Sequence, residues 1–323
     1  MKTIPEIFWR SFTHYFGPAL PCAVGMALSL NVTLQARAAD SPRTFATPDD
    51  AVAALRTAAK NHDQAALRAI FGPELEDIEN PDRVQATNDI SDFAAAMNET
   101  FHITHESDSK CVLEVGSYSW PFAIPIVKHE GKWSFDMAAG RDELLNRRIG
   151  KNELSVLEVM RAFVNAQREY ASKDRDGDQV LEYAQRLAST PGKKDGLYWD
   201  PDLDGEISPL GPFVAHAQAA GYFGETPIDK YSPQPFHGYL FKILTRQGKH
   251  APGGKYDYII NGNMIGGFAL VAWPAEYGES GIMTFIVNQQ GRVYQKDLGT
   301  GTAKAASKMS EFDPDPSWHP SPD

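Results

Sequence analysis

The chain has 323 residues, with 31 Lys and Arg against 42 Asp and Glu and a net charge of −11. A surface of that sign repels nucleic acid and anionic lipid, which removes those partners from consideration. A hydrophobic content of 42% is enough for folded cores, and the length exceeds that of a usual single domain, so two soluble domains are the expectation.

At the start, Lys2 and Arg10 give a positive segment, 16–34 is mostly apolar and uncharged, and Ala36-Arg37-Ala38 is the small-x-small pattern read by signal peptidase. Pro18 and Pro21 interrupt the apolar run, which is short for a membrane span of about 20 residues. A removable signal peptide over 1–38, cleaved near Ala38, is therefore expected rather than an uncleaved anchor, with a mature protein that is periplasmic or secreted. Pro21 ahead of Cys22 does not suit a lipoprotein site. Cleavage removes Lys2, Arg10, Arg37 and Glu6, leaving 28 basic against 41 acidic residues and a net charge of −13. No later segment is long and apolar enough to span a membrane. The mature chain keeps one cysteine, Cys111, so it can form no internal disulfide. Cys111 opens the apolar run 111–115, with no His beside it in sequence to stabilise a thiolate, and reads as a buried structural thiol.

Thr47-Pro48-Asp49-Asp50 is a helix start, with a capping hydroxyl, proline in the first turn and acids at the positive end of the dipole. Ala51, Val52, Leu55 and Ala58 mark its apolar face. A second short helix ends at Gly72-Pro73 and a third is expected near 89–100. Strands then follow at 111–115, 122–127 and 132–137, bounded by Gly116, Pro121 and the turn His129-Glu130-Gly131, as in an antiparallel meander. The charged stretch 141–151, with Arg141, Arg147, Arg148 and Lys151, reads as the junction between two domains, 39–148 and 149–312. Pairing of these cations with acids across the junction is favoured over an anionic ligand. A long helix from 152 to about 172 carries Val156, Val159, Met160, Phe163, Val164, Ala166 and Tyr170 at helical spacing, a core stripe. Strands at 239–245, 256–261, 267–273, 282–288 and 292–296 complete an α+β fold, and 313–323 is a Pro-rich tail.

Helices first and a meander afterwards resemble the cystatin-like cone of nuclear-transport-factor-2-like proteins. The helix at 152–171, followed by a sheet ending in 281–291, resembles the globular heads of type IV pilin-like and pseudopilin-like proteins, although a folded domain precedes the helix here. A closer resemblance rests on Phe45-Ala46-Thr47-Pro48, Trp120-Pro121-Phe122, Asp195-Gly196-Leu197-Tyr198-Trp199 and Phe312-Asp313-Pro314-Asp315-Pro316, together with the strings at 113–116, 145–154, 167–171 and 266–278. In these the chain is similar to the exported bacterial domain-of-unknown-function family 2950, which implies export and shared architecture but no reaction, ligand or catalytic residue.

The chief chemical signal is a pair of acidic loops. Asp174, Asp176 and Asp178 alternate, with Gly177 for a sharp turn and Glu182 four residues on, so carboxylates could converge on a hard cation, calcium outside the cytoplasm. Asp200, Asp202 and Asp204 with Gly205 match the first half of an EF-hand loop, but Gly211 stands where the closing acid belongs. Acid-rich turns also form for local reasons, and both loops suit solvated turns better than metal sites. His102, His105 and Glu106 lack the convergent set a transition metal needs and read as exposed. Ser280 in Gly278-Glu279-Ser280-Gly281 lacks the strand-to-helix context of a nucleophile elbow, and Pro252-Gly253-Gly254-Lys255 reads as a turn. Trp120, Trp199, Trp273 and Trp318 could line a carbohydrate platform, though single aromatics usually pack into cores. The preferred expectation is a non-catalytic binding or assembly module, its partner an envelope protein or a glycan, with calcium as a staple. The alternative is a hydrolase or isomerase using Asp92, His102 or Asp136 in a cone pocket.

Overall fold

The computed structural model describes residues 41–78, 80–175, 177–199, 205–219, 222 and 235–322. The expected signal peptide and four of the acidic-loop residues, Asp176, Asp200, Asp202 and Asp204, lie outside these. Residues Ala39–Asp323 form one compact unit, and among the described residues no helix is long and apolar enough to cross a membrane.

Helix α1 (Pro48–Lys60) starts as its sequence dictates: Thr47 accepts from the amide of Asp50 while the Asp50 side chain accepts from Thr47, a reciprocal capping box behind a first-turn proline. Helix α2 (Gln64–Phe71) stops at Gly72, whose φ of 84° no side chain adopts readily. A short 3-10 turn (Pro73–Ile78) leads to α3 (Arg83–Glu99). This helix begins six residues before the expected position, because Asp82 accepts from the Gln85 amide and supplies a cap.

Five strands follow: β1 (Phe101–Ser107), β2 (Lys110–Val115), β3 (Trp120–Pro121), β4 (Ile126–His129) and β5 (Lys132–Phe135). The sheet order is β1-β2-β4-β5, with β3 beside the far end of β2. Strand β1 is not among the expected elements, and of the expected strand at 122–127 only 126 and 127 are extended, as the start of β4, with β3 lying just before it. Leu55, Ile70, Phe71, Met97, Leu113, Ile126 and Phe135 are among the side chains that close the first core between the helices and this sheet.

Helix α4 (Met137–Tyr170) has 34 residues, capped by Asp136, and starts 15 residues before the expected helix at 152. Its first half is the stretch expected to be a charged junction. Glu143, Leu144, Leu145, Arg147 and Arg148 are strong helix formers, and Glu143 bonds Arg147 one turn on at 2.6 Å. The expected boundary at 148/149 therefore falls inside α4.

Helix α5 (Gly211–Ala219) precedes the second sheet region. Its strands are β6 (Tyr239–Leu244), β7 (Arg246–Gln247), β8 (Tyr256–Asp257), β9 (Ile259–Ile260), β10 (Asn263–Met264), β11 (Ala269–Pro274), β12 (Met283–Asn288) and β13 (Tyr294–Asp297). After α6 (Thr302–Lys308) come β14 (Glu311–Phe312) and β15 (His319–Pro320). The main sheet runs β15-β13-β12-β11-β6, all antiparallel. β11 is buried along its whole length, and alternate residues point to opposite faces, so both faces are covered; α4 and α6 both pack on it. The segment expected to be a tail thus contributes an edge strand, and Trp318 is buried. With helices and antiparallel sheets in separate runs, the fold is α+β.

Candidate functional site

The first acidic loop works as a clip. Asp174 accepts from the amides of Gly177 (2.7 Å) and Gln179 (2.9 Å), closing the turn on itself. Asp178 accepts from Val180 N and from Asn263 Nδ2 at 2.6 Å, and Glu182 accepts from Met264 N at 3.0 Å. The last two carboxylates therefore hold the β9–β10 hairpin. Among the described residues, no three His, Cys, Asp or Glu side chains are grouped so as to hold a metal ion.

Glu206, just beyond the second acidic loop, gathers three cations. Its carboxylate accepts from Lys194 (2.6 Å), Arg175 (2.8 Å) and Lys173 (2.9 Å), and its carbonyl accepts from Trp199 Nε1 at 3.0 Å. Hydrogen bonds from Lys194, Lys173 and Arg175 pull its carboxyl down to about 2. Arg175 lies 5.4 Å from the Tyr170 ring and 5.0 Å from the Trp199 ring, with its side chain almost fully covered.

The basic stretch of α4 sits at a seam between the two cores, and one of its cations pairs with an acid of another element. Lys151 pairs with Asp89 of α3 at 2.7 Å, while Arg148 donates to the Ile78 carbonyl. Burial lowers the Arg148 pKa, and the charges of Asp89 and Glu279 oppose that. Glu279 is raised by burial and by its hydrogen bond with Glu276, and Arg148 and Arg141 partly offset the rise.

Beneath these runs a buried polar chain invisible to pattern reading. Asp82 accepts from the Tyr222 hydroxyl (2.7 Å) and the Gly238 amide (3.2 Å). Gln85 donates to Asn152 Oδ1 at 2.7 Å, and Asn152 donates to the Ser280 carbonyl at 2.8 Å. Gly238 has a φ of 70°, and a Cβ there would stand 2.7 Å from Asn152 Nδ2, so both its conformation and its space demand glycine. Ser280 is the hairpin residue expected, bonding Glu276 N and O.

The groups proposed for acid–base work do not converge. Asp136 caps α4, while Asp92 and His102 are exposed on α3 and β1. None of the three lines the open groove of about 630 Å³ along α1 and α2, whose polar edge is Arg43, Asp50, Thr57, Asn61 and Asp63. Within the first core, Phe71, Phe93, Phe122 and Phe135 stand 5.0–6.3 Å apart, centroid to centroid.

Cys111 corrects one expectation. It is fully buried as expected, but β1 places His105 directly opposite, with Nδ1 3.2 Å from Sγ. Burial, followed by the charge of Asp49, pushes the thiol pKa up, which disfavours a thiolate there. Of the tryptophans, Trp133, Trp199, Trp273 and Trp318 are buried, whereas Trp120 is 61% exposed and the adjacent Tyr118 is 93% exposed.

A family model described as "Protein of unknown function (DUF2950)" matches residues 42–320, nearly all of the chain. The chain belongs to that family. The match spans α1 through β15, so both cores, the seam and the aromatic tip between β2 and β3 are family territory. No curated protein and no solved structure matches the chain significantly.

Proposed function

We propose that this member of the family is an exported, non-catalytic binding module of the bacterial envelope, working in the periplasm or outside the cell. One observation carries the reading. Asp136 serves as a helix cap and Asp92 and His102 stand apart on the surface, while the bulkiest aromatic exposure, Tyr118 and Trp120, occupies a hairpin tip where it serves no core. Three helices followed by an antiparallel sheet support a cystatin-like, nuclear-transport-factor-2-like cone for the first half. The packing of α4 on β11 and β12 supports a pilin-head-like second half; this is analogy of architecture and carries no activity.

The leader supports export through its basic start, its short apolar run and Ala36-Arg37-Ala38. Expression of the full chain in a bacterial host, with fractionation and N-terminal sequencing, is expected to give a periplasmic or secreted protein starting at or next to Ala39. An uncut chain in the cytoplasm would overturn export and the envelope role with it.

Calcium belongs to this proposal as a staple of the Asp174–Glu182 turn. The melting temperature of residues 39–323 is expected to rise by a few degrees in excess calcium over chelator, and Asp174→Ala is expected to abolish the rise. Equal melting temperatures would leave the turn held by its hydrogen bonds alone.

A further inference from the structure

The sequence Gly116-Ser117-Tyr118-Ser119-Trp120-Pro121 forms the tight connection from β2 to β3. Gly116 and Ser119 both adopt positive φ, 71° and 49°, and Ser119 N donates to Gly116 O at 3.0 Å. This geometry turns the chain so that Tyr118 projects fully and Trp120 lies on the sheet edge. Leaving two large rings in water forgoes the stabilisation of burial, so the arrangement needs a reason beyond folding.

The indole is also held in place. The Arg147 guanidinium lies 5.6 Å from the Trp120 ring centroid, and is itself fixed by Nε donating to Glu143 Oε1 at 2.6 Å and Nη1 donating to the Pro121 carbonyl at 2.7 Å. One side of the ring thus has a rigid backing while most of the side chain faces solvent. An exposed aromatic whose orientation is set before binding loses little entropy when a ligand stacks on it. Ser117 and Ser119 of the same turn are exposed, and the Glu143 carboxylate bonds the Arg147 that backs the indole.

We propose that Trp120 and Tyr118 form a stacking platform for the pyranose rings of an uncharged polysaccharide. The C–H face of a pyranose is a flat apolar surface ringed by hydroxyls, which suits a pre-oriented aromatic face in a turn that also exposes two serines. A protein partner fits less well. A stable protein interface buries roughly 800 Å² per side around an apolar centre, and among the described residues from 41 to 136 these two are the large hydrophobic side chains that stand exposed. An anionic polymer is disfavoured by the net charge of −11, and Arg147, the cation at the tip, is already committed to Glu143.

The inference rests on the envelope-binding reading, and its test separates the two. Residues 39–323 would be run by affinity electrophoresis through gels containing a soluble β-glucan, a mannan or a soluble N-acetylglucosamine polymer, beside Trp120→Ala, Trp120→Phe and Tyr118→Ala. All three variants are expected to melt with the parent, because the rings are exposed. At least one polymer is expected to retard the parent, with affinity reduced about tenfold in Trp120→Ala and largely kept in Trp120→Phe. Stacking is also expected to shift tryptophan emission in the parent but not in Trp120→Phe. No retardation by any of the three, or equal retardation of parent and Trp120→Ala, would overturn the platform. A photo-crosslinker at position 118 that captures a protein and no glycan would overturn it in favour of a protein partner. An exported protein that fails these tests sinks the platform alone, whereas an uncut cytoplasmic chain sinks the envelope reading itself.

Discussion

Asp82→Ala is expected to lower the unfolding free energy by about 4 kcal/mol, read as a drop in the urea midpoint at unchanged slope. The residue is 3% exposed and makes three separate bonds. Loss of the α3 cap costs about 1 kcal/mol, and the buried Tyr222 hydroxyl and Gly238 amide, left without their acceptor, cost about 1–3 kcal/mol each. Burial and the contact with Asp82 already push the Tyr222 pKa upward, the signature of a phenol held in a dry site beside a carboxylate. Asp82→Asn keeps the shape and one acceptor oxygen, so it should cost clearly less. The seam joins α3, α4 and the strands of the second core, so fluorescence and far-UV circular dichroism should follow one transition in the parent chain. A loss under about 1 kcal/mol for Asp82→Ala would mean that water reaches the seam and replaces the carboxylate.

That seam shows where sequence reading stops. Short-range signals were legible: the Thr47–Asp50 capping box, the Gly72 stop, the core stripe of α4 from Val156 to Tyr170 and the strand pattern of β2, β11 and β12 all depend on neighbours within a few positions. The first half of α4 was misread because Arg141, Arg147, Arg148 and Lys151 resemble a solvated linker. Their charges are met by Asp89, Glu143, Glu279 and backbone carbonyls, and Asp89 lies 62 positions from the Lys151 it pairs with. Strand β1 did carry a signal, Phe101 and Ile103 alternating with His102 and Thr104. Recognising it would have placed His105 opposite Cys111 through the turn at Asp108-Ser109. Asp82 meets Tyr222 and Gly238 across 140 and 156 positions, and no local pattern encodes such a meeting. The exposure of Trp120 alone among the described tryptophans was illegible for a similar reason, since it depends on β3 lying at the sheet edge.

Glu206→Gln is expected to destabilise the chain by about 2 kcal/mol at pH 7, and the difference from the parent should vanish in acid. The size follows from the partners. A fully exposed ion pair contributes about 0–1 kcal/mol, but Arg175 is almost completely covered and lies against Tyr170 and Trp199, so removing its counter-charge leaves a desolvated cation. Lys173 is the most exposed of the three cations, and Lys173→Ala should cost less than about 1 kcal/mol. The sign of the pH effect comes from the depressed carboxyl. Glu206 titrates near 2 in the folded chain against an ordinary value of 4.5, so the unfolded chain takes up the proton first as pH falls. The stabilisation is complete above about 4.5 and is lost progressively between there and about 2. Urea midpoints measured at pH 7, 5, 4 and 3 should therefore converge for parent and Glu206→Gln toward the acid end. Coincident curves at every pH would mean that the three cations hold the loop through packing and hydrogen bonds that a neutral amide reproduces. Convergence would instead identify the Glu206 carboxylate as the charge that fastens this loop to the end of α4, where Tyr170 and Arg175 meet it.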